Sequence, residues 1–195
     1  MRRMQNARRL PQIFGALAAA MLSACTFVSV KSVVGQAKLN GLPLIFQEDF
    51  EHGAGRWAPT DPNAWKIADE NGDHDYSQFQ QSKYEPPFRS PFNIALIKNL
   101  KAGTCIVDLR MEQMGAVAGE NHRDMVIVFG WQDSAHFYCS HLGKTGDDAS
   151  HQMHIVNGAP RVSIIKNRTQ GVDWGTGWHN VRLIRNIETG AIDVY

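Results

Sequence analysis

The sequence has no phosphate-cradling glycine loop, no Gly-x-Ser-x-Gly, no His-Glu-x-x-His and no Cys-x-x-Cys. These absences set aside P-loop nucleotide binding, nucleophile-elbow hydrolases, zincin proteases and paired-cysteine zinc modules. Charge of one sign is also missing: 20 basic and 19 acidic side chains leave a net +1. With no long basic run, nothing here is built to steer a nucleic acid, and no nucleic-acid partner is expected. Cysteine is scarce, at three residues. No segment after the first two dozen residues holds a helical period. Hydrophobics at 43% and aromatics at 9% are those of an ordinary packed globule, and 195 residues suggest one domain.

The N-terminus does not read as part of that globule. Arg2, Arg3, Arg8 and Arg9 precede an apolar run from Ile13 to Leu22 that is too short to span a bilayer. This is the layout of an export signal. Leu22-Ser23-Ala24-Cys25 resembles the lipobox of bacterial lipoproteins, in which cleavage falls before the cysteine and the cysteine is acylated. The resemblance implies a signal peptide over 1–24, lipidation of Cys25 and a lipid-anchored protein of the bacterial cell envelope, periplasmic or on the outer-membrane surface. The alternative is an ordinary signal with a chance cysteine. Residues 25–42 then read as a tether. In an exporting compartment Cys105 and Cys139 are free to pair, or to remain two buried thiols.

From residue 43 onward the pattern is short strands. Pro43–Phe50 reads as the first, and Trp65–Ile67, Tyr76–Gln81, Asn93–Lys98 and Thr104–Met114 follow, with a proline-rich irregular stretch between Tyr84 and Phe92. Cys105, Val107, Leu109 and Met111 alternate with Asp108, Arg110 and Glu112, as in a sheet wet on one face. Met125–Gly130 and Ala135–Leu142 form a hairpin turning at Gln132–Ser134. His151–Val156, Arg161–Lys166, Trp178–Asn186 and Ala191–Tyr195 complete the set. The expectation is an all-β, two-sheet antiparallel sandwich over 43–195. Its last strand is cut mid-run, so the domain is expected to be incomplete at the C-terminus.

The densest polar and aromatic group lies in the central hairpin. His136, Tyr138 and Ser140 share one face of the second strand, and Phe137, Cys139 and His141 the other. Histidine and tyrosine can move protons in sugar chemistry, and arginine can neutralise a carboxylate. Hairpin pairing brings Arg123 opposite a residue just past Leu142, in a strand about 5 Å away, so His141 is nearer to it than His136. His141 is the preferred site histidine, with Arg123 as anchor and Tyr138 in support. The plain alternative is that these residues pack a core. Trp131 and Trp174, beside turn residues, are the tryptophans expected to be exposed for stacking on sugar rings. Glu48 and Asp49 are an acidic pair at a strand end.

Asp49-Phe50-Glu51, Arg89-Ser90-Pro91, Asn121-His122-Arg123-Asp124, His136-Phe137-Tyr138, Val156-Asn157-Gly158-Ala159-Pro160-Arg161 and Trp178-His179 occur in this order in certain exported bacterial proteins. The chain thereby resembles the concanavalin A-like lectin/glucanase superfamily, including laminin-G-like modules, from about Phe46 to Tyr195. The resemblance implies a jelly roll whose concave face holds carbohydrate. It also implies a structural calcium ion with Glu48 and Asp49 as near-side ligands. The Glu-x-Asp-x-x-Glu strand of the family 16 glucanases is missing, and the Gln-x-His signature of the jelly-roll alginate lyases has only a loose echo in Cys139–His141. No family's residues carry over as catalysts.

Three readings follow. The first is a surface-anchored carbohydrate-binding or glycan-associated module, with a polysaccharide and the membrane as its partners. The second is a polysaccharide-degrading enzyme, a glycoside hydrolase or polysaccharide lyase, using the His/Tyr/Arg group. The third is a structural domain of the envelope. The address is directly testable: the full-length product should partition into detergent, and Cys25→Ala should release it. Equal solubility of the two forms would show an ordinary signal.

Overall fold

Alternating apolar residues over stretches of three to nine residues can bury one face of a strand but not one stripe of a helix, and the chain folds accordingly. The computed structural model describes residues 38–115 and 123–195. Cys25, the signal and most of the tether lie outside the described residues. The strands are β1 (Lys38–Leu39), β2 (Leu42–Pro43), β3 (Trp57–Pro59), β4 (Trp65–Glu70), β5 (Asp73–Gln78), β6 (Ala95–Ile97) and β7 (Cys105–Met111). They continue as β8 (Met125–Asp133), β9 (His136–Leu142), β10 (Gln152–Asn157), β11 (Val162–Ser163), β12 (His179–Arg185) and β13 (Ile192–Val194). The pairings are antiparallel throughout. One 3-10 turn, Pro62–Ala64, is the helical element among the described residues, and no helix among them is long and apolar enough to cross a membrane. The fold is all-β.

Two sheets make the sandwich. One has the order β11-β10-β9-β8, the other β13-β12-β7. Met125 and Ile127 of β8 and Leu142 of β9 meet Val181 and Leu183 of β12, with Trp174 among them and Val107, Leu109 and Met111 of β7 packed alongside. This is the inner core. The opposite, outer face of the four-stranded sheet carries a second cluster of Phe137, Cys139 and Val156, covered by Ile94, Phe88 and Leu96 from the irregular stretch before and through β6. The four-stranded sheet is therefore covered on both faces.

Two details differ from the sequence expectation, and a third decides between its open alternatives. Pro43–Phe50 is not a strand beyond Pro43, because its backbone is claimed by its own side chains: Glu48 Oε1 accepts the Phe50 N–H, and Asp49 Oδ1 accepts the Glu51 N–H. The end of the tether is ordered as the small β1–β2 hairpin. Cys105 and Cys139 are free thiols, one in each sheet. Burial pushes the Cys139 thiol up to about 11, which makes it an inert packing group.

The β8–β9 hairpin contains the main irregularity. Phe129 pairs with Tyr138 and Asp133 with His136, so Gly130, Trp131 and Gln132 together face the single Phe137. This bulge moves Trp131 from the inner face, where strict alternation would put it, onto the outer face, where it stacks on Phe137 at 5.0 Å. Gly130 makes it possible. Its φ is +59°, and a Cβ there would lie 2.9 Å from the Tyr138 ring.

Leu183, with no exposed surface at all, is the centre of the inner core. Leu183→Ala is expected to cost about 2–5 kcal/mol in chemical denaturation, the range for a buried leucine cavity. A loss below about 1 kcal/mol would mean that the sheets do not pack as described.

Candidate functional site

The outer face of the four-stranded sheet is apolar toward the β8–β9 turn, at Phe137, Val156 and Trp131, and polar toward the far end of β9, at His141 and Gln152. Cross-strand pairs put His141 beside Val126 and Gln152, and His154 beside Cys139 and Ser163. His141 and His154 are both buried, with ring centroids 5.5 Å apart and near perpendicular. Asp124, one residue before β8, brings its carboxylate to the same place. Its Oδ2 lies 3.2 Å from His141 Nδ1, close enough to attract but poorly aligned for a hydrogen bond. Asp124 Oδ1 accepts a short hydrogen bond from the Ser150 hydroxyl.

Arg161 completes the group. Its Nη1 donates to His141 Nε2 at 3.1 Å and its Nη2 to the Ala149 carbonyl at 3.2 Å. A guanidinium only donates, so His141 Nε2 must be the bare lone pair and Nδ1 must carry the proton that faces Asp124. His141 is thus held as the neutral tautomer between a carboxylate and a guanidinium. Gly143, just past β9, is needed for this approach. A Cβ there would overlap the Ser150 hydroxyl and come 2.5 Å from Asp124 Oδ1.

Burial first, and then the charge of Arg161, push His154 down to about 4. His154 is neutral at physiological pH, and its Nδ1 has no partner among the described residues. His151 is lowered too, chiefly by burial and then by Arg168. Its Nε2 meets the Thr169 hydroxyl at 2.6 Å. Asp124, His141, Arg161, Arg89, Val128 and Trp131 lie in the wall of a cleft of about 2660 Å³ that is also lined by β4, β5, β7 and β12 and by inner-face residues such as Met125, Ile127 and Leu109.

Several residues expected at the site are elsewhere. Arg123 is buried on the inner side, donating from Nη1 to the Gly175 carbonyl at 2.8 Å and from Nη2 to the Gln113 carbonyl at 2.6 Å. It is a structural clamp, because a side chain one residue from Asp124 points to the opposite face. Tyr138 also faces inward, stacked on Phe129 at 5.6 Å with Arg185 over its ring, and does not support His141. Trp174 is not a platform. It is 3% exposed in the inner core, its indole N–H donating to the Leu142 carbonyl at 3.1 Å. His136 caps its own turn against Asp133, at 2.8 Å and 3.0 Å. Trp131 is half-buried on the outer face and lines the cleft.

Glu48 and Asp49 do not fit a calcium ion. The Glu48 carboxylate pairs with Arg56 at 2.9 Å and accepts the Trp57 indole N–H at 3.2 Å. Asp49 caps Glu51. Among the described residues no three acidic, histidine or cysteine side chains converge to hold a metal ion.

Asp124, Arg161, His154 and Arg89 are the members that reading the sequence as single strands passes over. The signal that finds two of them is parity. Asp124 has the parity of Val126 and Val128, and His154 sits across from Cys139, so these two belong to the His141 face, whereas Arg161 and Arg89 lie outside the strands and follow no such rule. Comparison of the chain with family models, curated proteins and solved structures returned no match, so the functional reading rests on the residues alone.

Because His154 takes up its proton in the native state only near pH 4, while an unfolded histidine does so near 6.5, the unfolded state binds more protons between these values. Stability is therefore full above about pH 6.5 and falls as pH drops toward 4, by up to about 3 kcal/mol for His154. His151 acts in the same direction. Thermal melting at pH 7 and 4.5 should show this drop, and His154→Asn should shrink it. An unchanged pH dependence in that variant would mean that His154 is solvated.

Proposed function

We propose that this chain is a glycan-binding β-sandwich module of the bacterial cell envelope, lipid-anchored through Cys25, with its binding face on the outer side of the four-stranded sheet around His141. The concanavalin A-like jelly roll is the architecture this reading adopts for the sandwich. The observation that carries it is a set of oriented polar side chains, buried His141 with half-buried Asp124 and Arg161, in the wall of one cleft. Trp131 supplies an aromatic surface in the same wall.

Binding is favoured over turnover by the state of His141. A general base needs a free lone pair within reach of the proton it takes. The lone pair of His141 already accepts from Arg161. One observation supports the second reading, a polysaccharide hydrolase or lyase: Asp124 faces Nδ1 as an orienting carboxylate would. If a substrate drew Arg161 away, Nε2 would become a base.

Titration calorimetry against a panel of oligosaccharides, with reducing ends and the absorbance of unsaturated sugars followed in parallel, separates the two. Binding without turnover is expected. His141→Ala should weaken the bound sugar about ten- to a hundredfold, the cost of leaving buried polar partners unsatisfied, while His136→Ala should bind as the parent does. New reducing ends or unsaturated sugars that vanish in His141→Ala would establish the enzyme instead. No binding to any glycan would end both readings.

A further inference from the structure

The charge of the site defines the kind of sugar. Arg161 is half-buried, and its backbone N–H donates to the Arg89 carbonyl at 3.3 Å, which holds the two arginines side by side. Arg161 spends two of its donors on His141 and Ala149. The Arg89 guanidinium is exposed at the cleft wall and is engaged by no described residue. Against these two positive charges stands Asp124, whose carboxylate is directed to His141 and Ser150. His141 is neutral because its Nε2 accepts from Arg161.

Among the described residues the cluster therefore holds two guanidiniums and one carboxylate, a net +1, with Arg89 open to solvent. Burial first, and then repulsion from Arg89, lowers the proton affinity of Arg161. A site with unbalanced positive charge is completed by an anion. One further buried group lines the same wall: Ser90 Oγ, on a residue 3% exposed, lacks a partner among the described residues, and Ser90 adjoins Arg89.

We propose that Arg89 and Arg161 form a subsite for the carboxylate of an acidic sugar, so that the glycan held here contains uronic acid residues. This rests on the glycan-binding reading above and names its ligand class. A carboxylate is planar with two acceptor oxygens, which matches the fork of a guanidinium. Arg89 supplies the open fork, and Arg161 keeps the subsite positive while fixing His141.

The test is calorimetric titration of the full chain with three probes: an oligouronate, the same oligosaccharide with its carboxylates reduced to alcohols, and a sulfated oligosaccharide. The oligouronate should bind at least about tenfold more tightly than either of the others. Arg89→Gln, at an exposed position that leaves the core untouched, should remove most of that preference. Arg161→Gln removes the charge that keeps the subsite positive, and should weaken the oligouronate more than the reduced sugar. Equal affinity for the oligouronate and its reduced form would overturn the carboxylate subsite and leave glycan binding standing. Sulfated sugar bound as tightly as the oligouronate would overturn it too, as general attraction of anions. If none of the probes binds and the wider panel also fails, the glycan reading falls and takes this inference with it.

Discussion

Side-chain alternation along β9 and β10 governs the molecule. The same two strands supply Leu142 to the inner core and Phe137, Cys139 and Val156 to the outer one, while carrying His141 and His154 on the outer face. A slip of one residue would exchange these faces, burying the histidines between the sheets and exposing the apolar set. Register is therefore held by both cores at once. The turn adds to it, because Asp133 accepts the Ala135 N–H at 2.7 Å and meets His136, pinning where the hairpin reverses. The bulge opposite Phe137 is the one local exception to alternation, and it delivers Trp131 to the face where the polar group lies.

Placing ionisable groups in such a wall is costly unless each has a counterpart. The cost is met by neutrality and by pairing. His141 is fixed as the neutral tautomer, His154 is kept neutral by burial, and Asp124 takes a hydroxyl from Ser150. The close packing around Gly143 leaves no room for these groups to drift apart. The excess positive charge of Arg89 and Arg161 is what the pairing leaves over.

How far this was legible in the sequence depends on the residue. The all-β class, the central hairpin and the opposite faces of His136 and His141 followed from period-two patterning and turn chemistry, which are local. The Asn71–Gly72 turn between β4 and β5 also matches its sequence signal, with positive φ at both residues. The candidate site is half legible. Density of polar residues points to His141, but the side chain beside it is that of Asp124 and not of the neighbouring Arg123. Backbone proximity does not fix which way a side chain leaves the strand, and Arg123 leaves inward. Trp174 sits beside glycine like a surface residue, yet a long-range bond to the Leu142 carbonyl draws it into the core. Arg161 lies 20 residues from His141 in the chain, and no local pattern announces that contact. Nor does local pattern reveal that Glu48 and Asp49 spend their carboxylates on their own neighbourhood.

The central claim is that the outer face around His141 is where a glycan meets the protein. The most direct measurement is two-dimensional NMR of the histidine ring nitrogens and backbone amides during titration with an oligouronate. The account predicts that free His141 is the neutral Nδ1–H tautomer, and that the largest shifts on titration fall on His141, His154, Arg161 and Arg89. Shifts concentrated on the inner-face residues or on the β4–β5 hairpin, with His141 unmoved, would contradict it.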